Sequence, residues 1–174
     1  MTVPLHFHCR HFDGTALVIQ SIQEIPKGEA ILDNYGPYFT KMRKAERQYK
    51  LKGRYWFDCA CQACEEDLPS LNEFPMDLAP GPNKFENQIL LQLQKLDKNY
   101  FEKAVTIMDT GNSLVAIEYL KKYLDDAGGL INRVNQSRKE QQNHEPFLYK
   151  SFYLAQEALK LCLASQGSVY VPET

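Results

Sequence analysis

No stretch of this 174-residue chain approaches the roughly 18 consecutive apolar residues that a membrane span needs, so no membrane partner is expected. Neither sign of charge is in excess. Lys and Arg number 20 against 22 Asp and Glu, for a formal net charge of -2. A pI near 6.1 gives no global pull toward nucleic acid or an anionic surface, so any electrostatic partner has to be met by a local patch. The opening residues, Met-Thr-Val-Pro-Leu-His-Phe-His, lack the basic start and long apolar middle of a secretory signal. The cysteines number 5, an odd count that no complete disulfide framework uses. Reduced thiols and a home in the cytoplasm or nucleus follow as expectations.

What the chain does have is a cluster of sulfur. Cys59, Cys61 and Cys64 fall in the run Arg-Tyr-Trp-Phe-Asp-Cys-Ala-Cys-Gln-Ala-Cys-Glu-Glu, from Arg54 to Glu66. Side chains so spaced can converge on one ion, because thiolates bind tetrahedral zinc at about 2.3 Å. A structural zinc site is therefore the first reading, with a disulfide or unligated thiols as the alternatives. Three ligands leave the tetrahedron one short, so a fourth must come from elsewhere or from water.

Upstream, Leu5 to Arg10 alternates apolar and polar residues, Asp13-Gly14 is a turn pair, and Thr15 to Ile22 is aliphatic and β-branched, which predicts a β-hairpin. The alternation sets Cys9 with Leu5 and Phe7 on one face. His6 and His8 share the other, and with His11 they read as solvated strand histidines, no carboxylate or cysteine joining them on that face. Pro26-Lys27-Gly28-Glu29 is a turn, Ala30 to Leu32 a short strand, and Tyr35-Gly36-Pro37 ends it. Thr40 is an N-cap candidate for a helix over Lys41 to Lys52, with Gly53 just past its end. That helix is basic, and its charges read as a solvated face with Met42, Ala45 and Tyr49 turned inward.

Prolines 69, 75, 80 and 82 mark a linker. Beyond it apolar residues recur at spacings of three and four: Ile89, Leu90, Leu93 and Leu96, continued by Tyr100, Ala104, Ile107 and Met108. A second helix is expected over Ser113 to Ala127, ended by Gly128-Gly129. A polar third covers Leu130 to Gln141, and a fourth runs from Phe147 to Ser165. Cys162, on the last apolar stripe, reads as a buried thiol acting as a small hydrophobe.

Taken in order, the Pro-Lys-Gly-Glu turn, the aliphatic strand, the Tyr35-Gly36 pair, the basic helix and Tyr55-x-Phe57-x-Cys59-x-Cys61-x-x-Cys64 resemble the end of a SET domain and its post-SET zinc loop. The combination is similar to the SET and MYND domain-containing protein lysine methyltransferases, in the branch with helical repeats, over residues from about 15 to 68. The resemblance implies an α+β fold. It comprises the C-terminal part of a SET domain over 1–40, a post-SET helix and zinc loop over 41–68, a Pro-rich linker over 69–83, and an all-α tetratricopeptide-like region over 84–174. It also implies two cofactors, zinc on Cys59, Cys61 and Cys64, and S-adenosyl-L-methionine.

In that family the tyrosine matched by Tyr35 is catalytic, its hydroxyl lying beside the methyl group in transit from the sulfonium to a lysine amine. Tyr55 matches a wall of the target-lysine channel and Phe57 a ring stacked on the adenine. The transfer is an in-line displacement at carbon, so the protein's work is to align a neutral amine with the methyl and exclude water. An aromatic wall suits lysine, whose stem is apolar and whose cationic head is drawn to ring faces. Trp56 is expected only to anchor the loop. The implied partner is a protein or peptide bearing the lysine, histone or otherwise, with a further peptide partner on the helical repeats.

The family's Asn-His-Ser-Cys-type motif, its Gly-rich cofactor segment and its paired-cysteine MYND finger are not found in this sequence. The expectation is the last part of such a protein, inactive alone, with Cys9 ahead of Cys162 as the fourth zinc ligand. The competing readings are a non-enzymatic interaction module stapled by zinc, and a nucleic-acid module on the basic helix, which the lack of interleaved aromatics disfavours.

Overall fold

The computed structural model describes residues 8–21, 25–28, 35–74, 81–143 and 145–165, with backbone alone at 8–13 and 20. The start of the hairpin's first strand, the strand Ala30 to Leu32, the middle of the linker and the side chain of Cys9 lie outside that description. The described chain is mostly helical with one two-stranded hairpin, β1 (His8–Asp13) and β2 (Ala16–Ser21). Gly14 turns the hairpin at φ 57, the left-handed conformation that glycine adopts without a Cβ penalty. The chain divides into two compact units, one of Met1–His8 with Ser21–Pro75 and the other of Cys9–Gln20 with Met76–Thr174.

In the first unit, α1 spans Lys44–Tyr55 and α2 the four residues Gln62–Glu65. The expected start of α1 at Lys41 is corrected. Thr40 is buried and its carbonyl accepts from the Leu71 N–H at 3.0 Å, a tertiary contact that holds it ahead of the helix. Lys41 and Met42 instead fold back on the Tyr38 carbonyl, and Arg43 is the N-cap. At the other end the helix runs through Gly53 and stops at Trp56, a left-handed residue at φ 64 whose N–H reaches the Leu51 and Lys52 carbonyls. The inward face is also different: Tyr49 is 81% exposed and Ala45 lies on the surface, while Arg47 and Leu51 are buried. Phe39, Leu51, Ala63, Leu68 and Phe74 form this unit's core.

The second unit is built around α5. Helix α3 (Lys84–Leu96) passes through a π-helical segment, Asp97–Phe101, into α4 (Glu102–Asp109), and α5 (Ser113–Glu140) and α6 (Lys150–Ser165) follow. Helices α3, α4 and α6 all pack on α5. Asn83 and Asn112 cap α3 and α5 through their side-chain oxygens, each accepting an N–H three residues on. Leu93, Leu120, Tyr123, Val134 and Leu159 are fully enclosed, and Ala104, Ala116, Ala127 and Ala155 have no exposed surface, which lets the helices approach closely.

The expected succession of four helices is corrected: Gly128-Gly129 do not end a helix, and α5 runs unbroken for 28 residues. Gly128 lies against Phe152, where an added Cβ would meet the ring at 3.5 Å, and Gly129 faces open space. Burial of Ala127 and Ile131 on either side of the pair along the helix outweighs the roughly 1 kcal/mol per residue that glycine costs there. Gly129→Ala is accordingly expected to stabilise the unit by about 0.5–1 kcal/mol, read from the midpoint of urea unfolding. Helix α6 begins at Lys150 rather than Phe147, and ahead of it the Phe147 N–H donates to the Asn135 side chain at 2.7 Å.

The π-helical segment presents Asp97 to two phenols, from Tyr123 at 2.6 Å and Tyr149 at 2.5 Å. Burial first, and then this shared carboxylate, push both tyrosines well above their ordinary range. A raised folded-state pKa stabilises fully below the unfolded value and is lost as pH rises beyond it. The unit should therefore lose stability above about pH 10, where tyrosine of the unfolded chain ionises and the folded pair does not. Tyr123→Phe should flatten that decline, measured by denaturant titration across the alkaline range.

Candidate functional site: a cysteine loop beside an aromatic groove

Past α1 the chain reverses at Trp56 and enters the cysteine loop. A single left-handed residue separates Tyr55 from Phe57, and both rings turn to Tyr35. The Tyr35 and Tyr55 centroids are 4.9 Å apart and those of Tyr35 and Phe57 5.3 Å, both pairs edge to face. Edge-to-face pairs add about 0.5–1.5 kcal/mol to their area burial. Trp56 points away, 87% exposed, so its expected role as an anchor of the loop is corrected. Gly36, at φ 112, supplies the backbone turn that the Tyr-Gly pair requires. Tyr35 and Tyr55 stay partly open to solvent and line a groove of about 810 Å³ together with Gly36, Pro37, Met42 and Arg54.

The loop's three sulfurs lie within 4.8 Å of one another, and no described His, Asp or Glu joins them. Tetrahedral coordination at about 2.3 Å spaces sulfurs about 3.8 Å apart, so the group fits one metal ion after small adjustment. Cys64 is buried in α2, Cys61 is exposed and Cys59 lies between. Without metal, partial desolvation of its sulfur within the cluster and then the neighbouring Cys59 thiol push the Cys61 thiol up to about 12. A divalent cation reverses that preference, because a coordinating thiol is deprotonated. Cys162 belongs to the second unit. It is buried in α6 among the apolar residues of the second unit, as expected of a small hydrophobe, and desolvation raises its thiol.

Two α1 residues hold the loop: Gln48, of which nothing was expected, and Arg47, expected only among the charges of the basic helix. Gln48 brackets Cys59 with its amide, Nε2 donating to the Cys59 carbonyl at 2.7 Å and Oε1 accepting the Cys59 N–H at 2.8 Å. Arg47, 2% exposed, donates to the Met42 carbonyl at 2.7 Å, the Ala63 carbonyl at 2.9 Å and the Cys64 sulfur at 3.4 Å. The solvated basic face expected of α1 is thus corrected at Arg47. Leu51 was the available signal, since a buried residue four positions on puts Arg47 on the inward face. Lys50 and Lys52 do remain in solvent, paired with Glu46 at 2.8 Å and Asp58 at 2.7 Å.

The chain is similar to SET and MYND domain-containing proteins over part of its length. Protein-lysine N-methyltransferase SMYD4 of Pongo abelii is 50% identical to this chain over 56 residues, and SMYD4 of Homo sapiens is 48% identical over 56 residues. Each match covers 32% of this chain and 7% of the relative. A SET and MYND domain-containing protein of Dictyostelium discoideum is 40% identical over 55 residues, 32% of this chain and 4% of its own length. No family model matches, and no solved structure does. The resemblance to this methyltransferase family holds over about a third of the chain, and the chain matches less than a tenth of the relatives' length.

Proposed function

We propose that these residues are the C-terminal part of the catalytic region of a protein-lysine N-methyltransferase of the SET and MYND type, working with S-adenosyl-L-methionine on lysine-bearing proteins in the cytoplasm or nucleus. The observation that carries the reading is the gathering of Tyr35, Tyr55 and Phe57 immediately ahead of a cysteine loop suited to zinc. In it Tyr35 borders the methyl in transit, Tyr55 walls the lysine channel, Phe57 stacks on the adenine, and Cys59, Cys61 and Cys64 bind the metal. Among the described residues the groove supplies an aromatic boundary, and with the family's cofactor-binding motifs not found in the sequence this part is not expected to turn over alone. The second unit takes the place of the family's tetratricopeptide-like region.

The test is a chimera in which the matching segment of a SMYD4 relative is replaced by that of this chain. Methyl transfer to lysine in a histone or another protein substrate should survive the exchange, and Tyr35→Phe within the chimera should lower kcat by about 100-fold, the scale of a lost positioning contact. Full-rate transfer by the Tyr35→Phe chimera removes the assignment. The self-contained helical core favours one other reading, an interaction module stapled by zinc. Binding of a peptide by the second unit, with no methyl transfer by the chimera, would establish it.

A further inference from the structure

Arg47 poses an electrostatic problem. Its guanidinium is almost wholly enclosed, yet among the described residues no carboxylate pairs with it, its partners being two backbone carbonyls and the Cys64 sulfur. Buried charges are ordinarily paired, because an isolated one costs several kcal/mol. Carbonyl dipoles solvate a guanidinium without neutralising it. Neutral thiols would leave the positive charge standing.

A metal-bound cluster resolves this. Three thiolates on a divalent ion carry a net charge of -1, and Arg47 carries the opposite charge against one of those sulfurs. We propose that Arg47 is the counter-ion of the tri-cysteine metal centre, a positioning residue that neutralises the thiolate cluster through Cys64 and sets its affinity for metal. The Ala63 carbonyl contact fixes the angle at which the guanidinium meets the sulfur, since both acceptors share the same Nη2. A hydrogen bond from a cation withdraws electron density from a thiolate, lowering its charge donation to the metal while keeping it ionised. Gln48, on the next position of α1, holds Cys59 by its backbone and carries no charge, so the two residues divide the work into geometry and charge.

This inference rests on the reading of the cysteine loop as a metal site, and the experiment separates the two. The full chain is loaded with zinc, and in parallel with cobalt(II), and metal affinity is measured by chelator competition for wild type, Arg47→Met and Arg47→Lys. Arg47→Met should weaken affinity by about 10–100-fold, the range for lost outer-shell partners. It should also shift the thiolate-to-cobalt charge-transfer band to longer wavelength, while the metal-free protein melts no lower than metal-free wild type. Arg47→Lys, which keeps the charge without the fork, should fall between. Wild-type affinity with an unmoved band in Arg47→Met overturns the proposal, as does equal destabilisation of its metal-free and metal-loaded forms. If Arg47→Met does not fold, Arg47→Lys decides: an unchanged affinity and band overturn the proposal, and weaker binding with a shifted band supports it. A wild-type chain that takes up neither metal overturns the metal reading itself.

Discussion

Cys61→Ser is expected to strip stoichiometric zinc from the purified chain and to lower the stability of the first unit by about 3–5 kcal/mol. Structural zinc contributes on the order of 10–16 kcal/mol to small folds organised by the metal alone, and a smaller part of that is at stake here because Phe39, Leu51, Leu68 and Phe74 give the unit an apolar core of its own. Cys61 is the informative choice because it is the most exposed of the three, so a serine there adds the least packing cost to confuse the result. Cys64→Ser should lose the metal equally and add a packing cost, its sulfur lying in the core. Cys162→Ser should leave metal content untouched. The measurements are elemental analysis of dialysed protein and hydrogen exchange over residues 56–68, whose amides should lose protection in the two loop variants. Acid should act as the substitution does, because protons compete with the metal for the thiolates and affinity falls as pH falls. Equal zinc in wild type and Cys61→Ser would remove the metal from the account of this loop.

The second large effect is expected in the helical unit, at an ion pair joining α3 to the end of α5. Glu86 is 3% exposed, and Arg138 grips it with two prongs, Nε to Oε1 at 3.0 Å and Nη2 to Oε2 at 2.7 Å. Arg138 also lies against the Phe147 ring, 5.3 Å from its centroid. Arg138→Ala leaves the carboxylate enclosed without a partner, and removing one member of such a pair costs about 3–5 kcal/mol. Replacing both members, as Glu86→Leu with Arg138→Met, should recover most of that loss, because apolar packing substitutes for a buried pair at little cost. A double-mutant cycle in urea measures both. Nearly additive losses would show that the pair is screened by solvent and contributes little.

Much of this was readable in the sequence. The spacing of Cys59, Cys61 and Cys64 announced a cluster, and the structure gathers those three sulfurs. The spacing of Ile89, Leu93 and Ala104 within an apolar stripe placed them in a helical core, where they are buried. The proximity of Tyr35 to Tyr55 and Phe57 came from the family likeness, since no local periodicity links residues 20 apart. What escaped was tertiary in origin. Thr40 looks like an N-cap until Leu71, far along the chain, claims its carbonyl. Gly128-Gly129 looks like a helix stop until Phe152 fills one side of it. Arg47 looks like one more solvated charge on a basic helix, because the carbonyl and sulfur it serves lie 16 and 17 residues downstream.

One device recurs in both units and has no motif of its own. Gln48 pairs its amide with both backbone groups of Cys59, and Asn87 does the same for Gly81, accepting its N–H at 2.7 Å and donating to its carbonyl at 3.1 Å. A side-chain amide mimics a neighbouring strand and satisfies a loop residue's donor and acceptor together. Such pairs stand 11 and 6 residues apart, with nothing periodic to mark them.

The chain's one tryptophan, Trp56, stands in water at the corner where α1 gives way to the cysteine loop. All indole fluorescence of the protein therefore arises from this corner, free of background from the helical unit. Ion uptake by the loop can be followed as a change in that emission on the intact chain, at protein concentrations too low for absorbance and without attaching any dye.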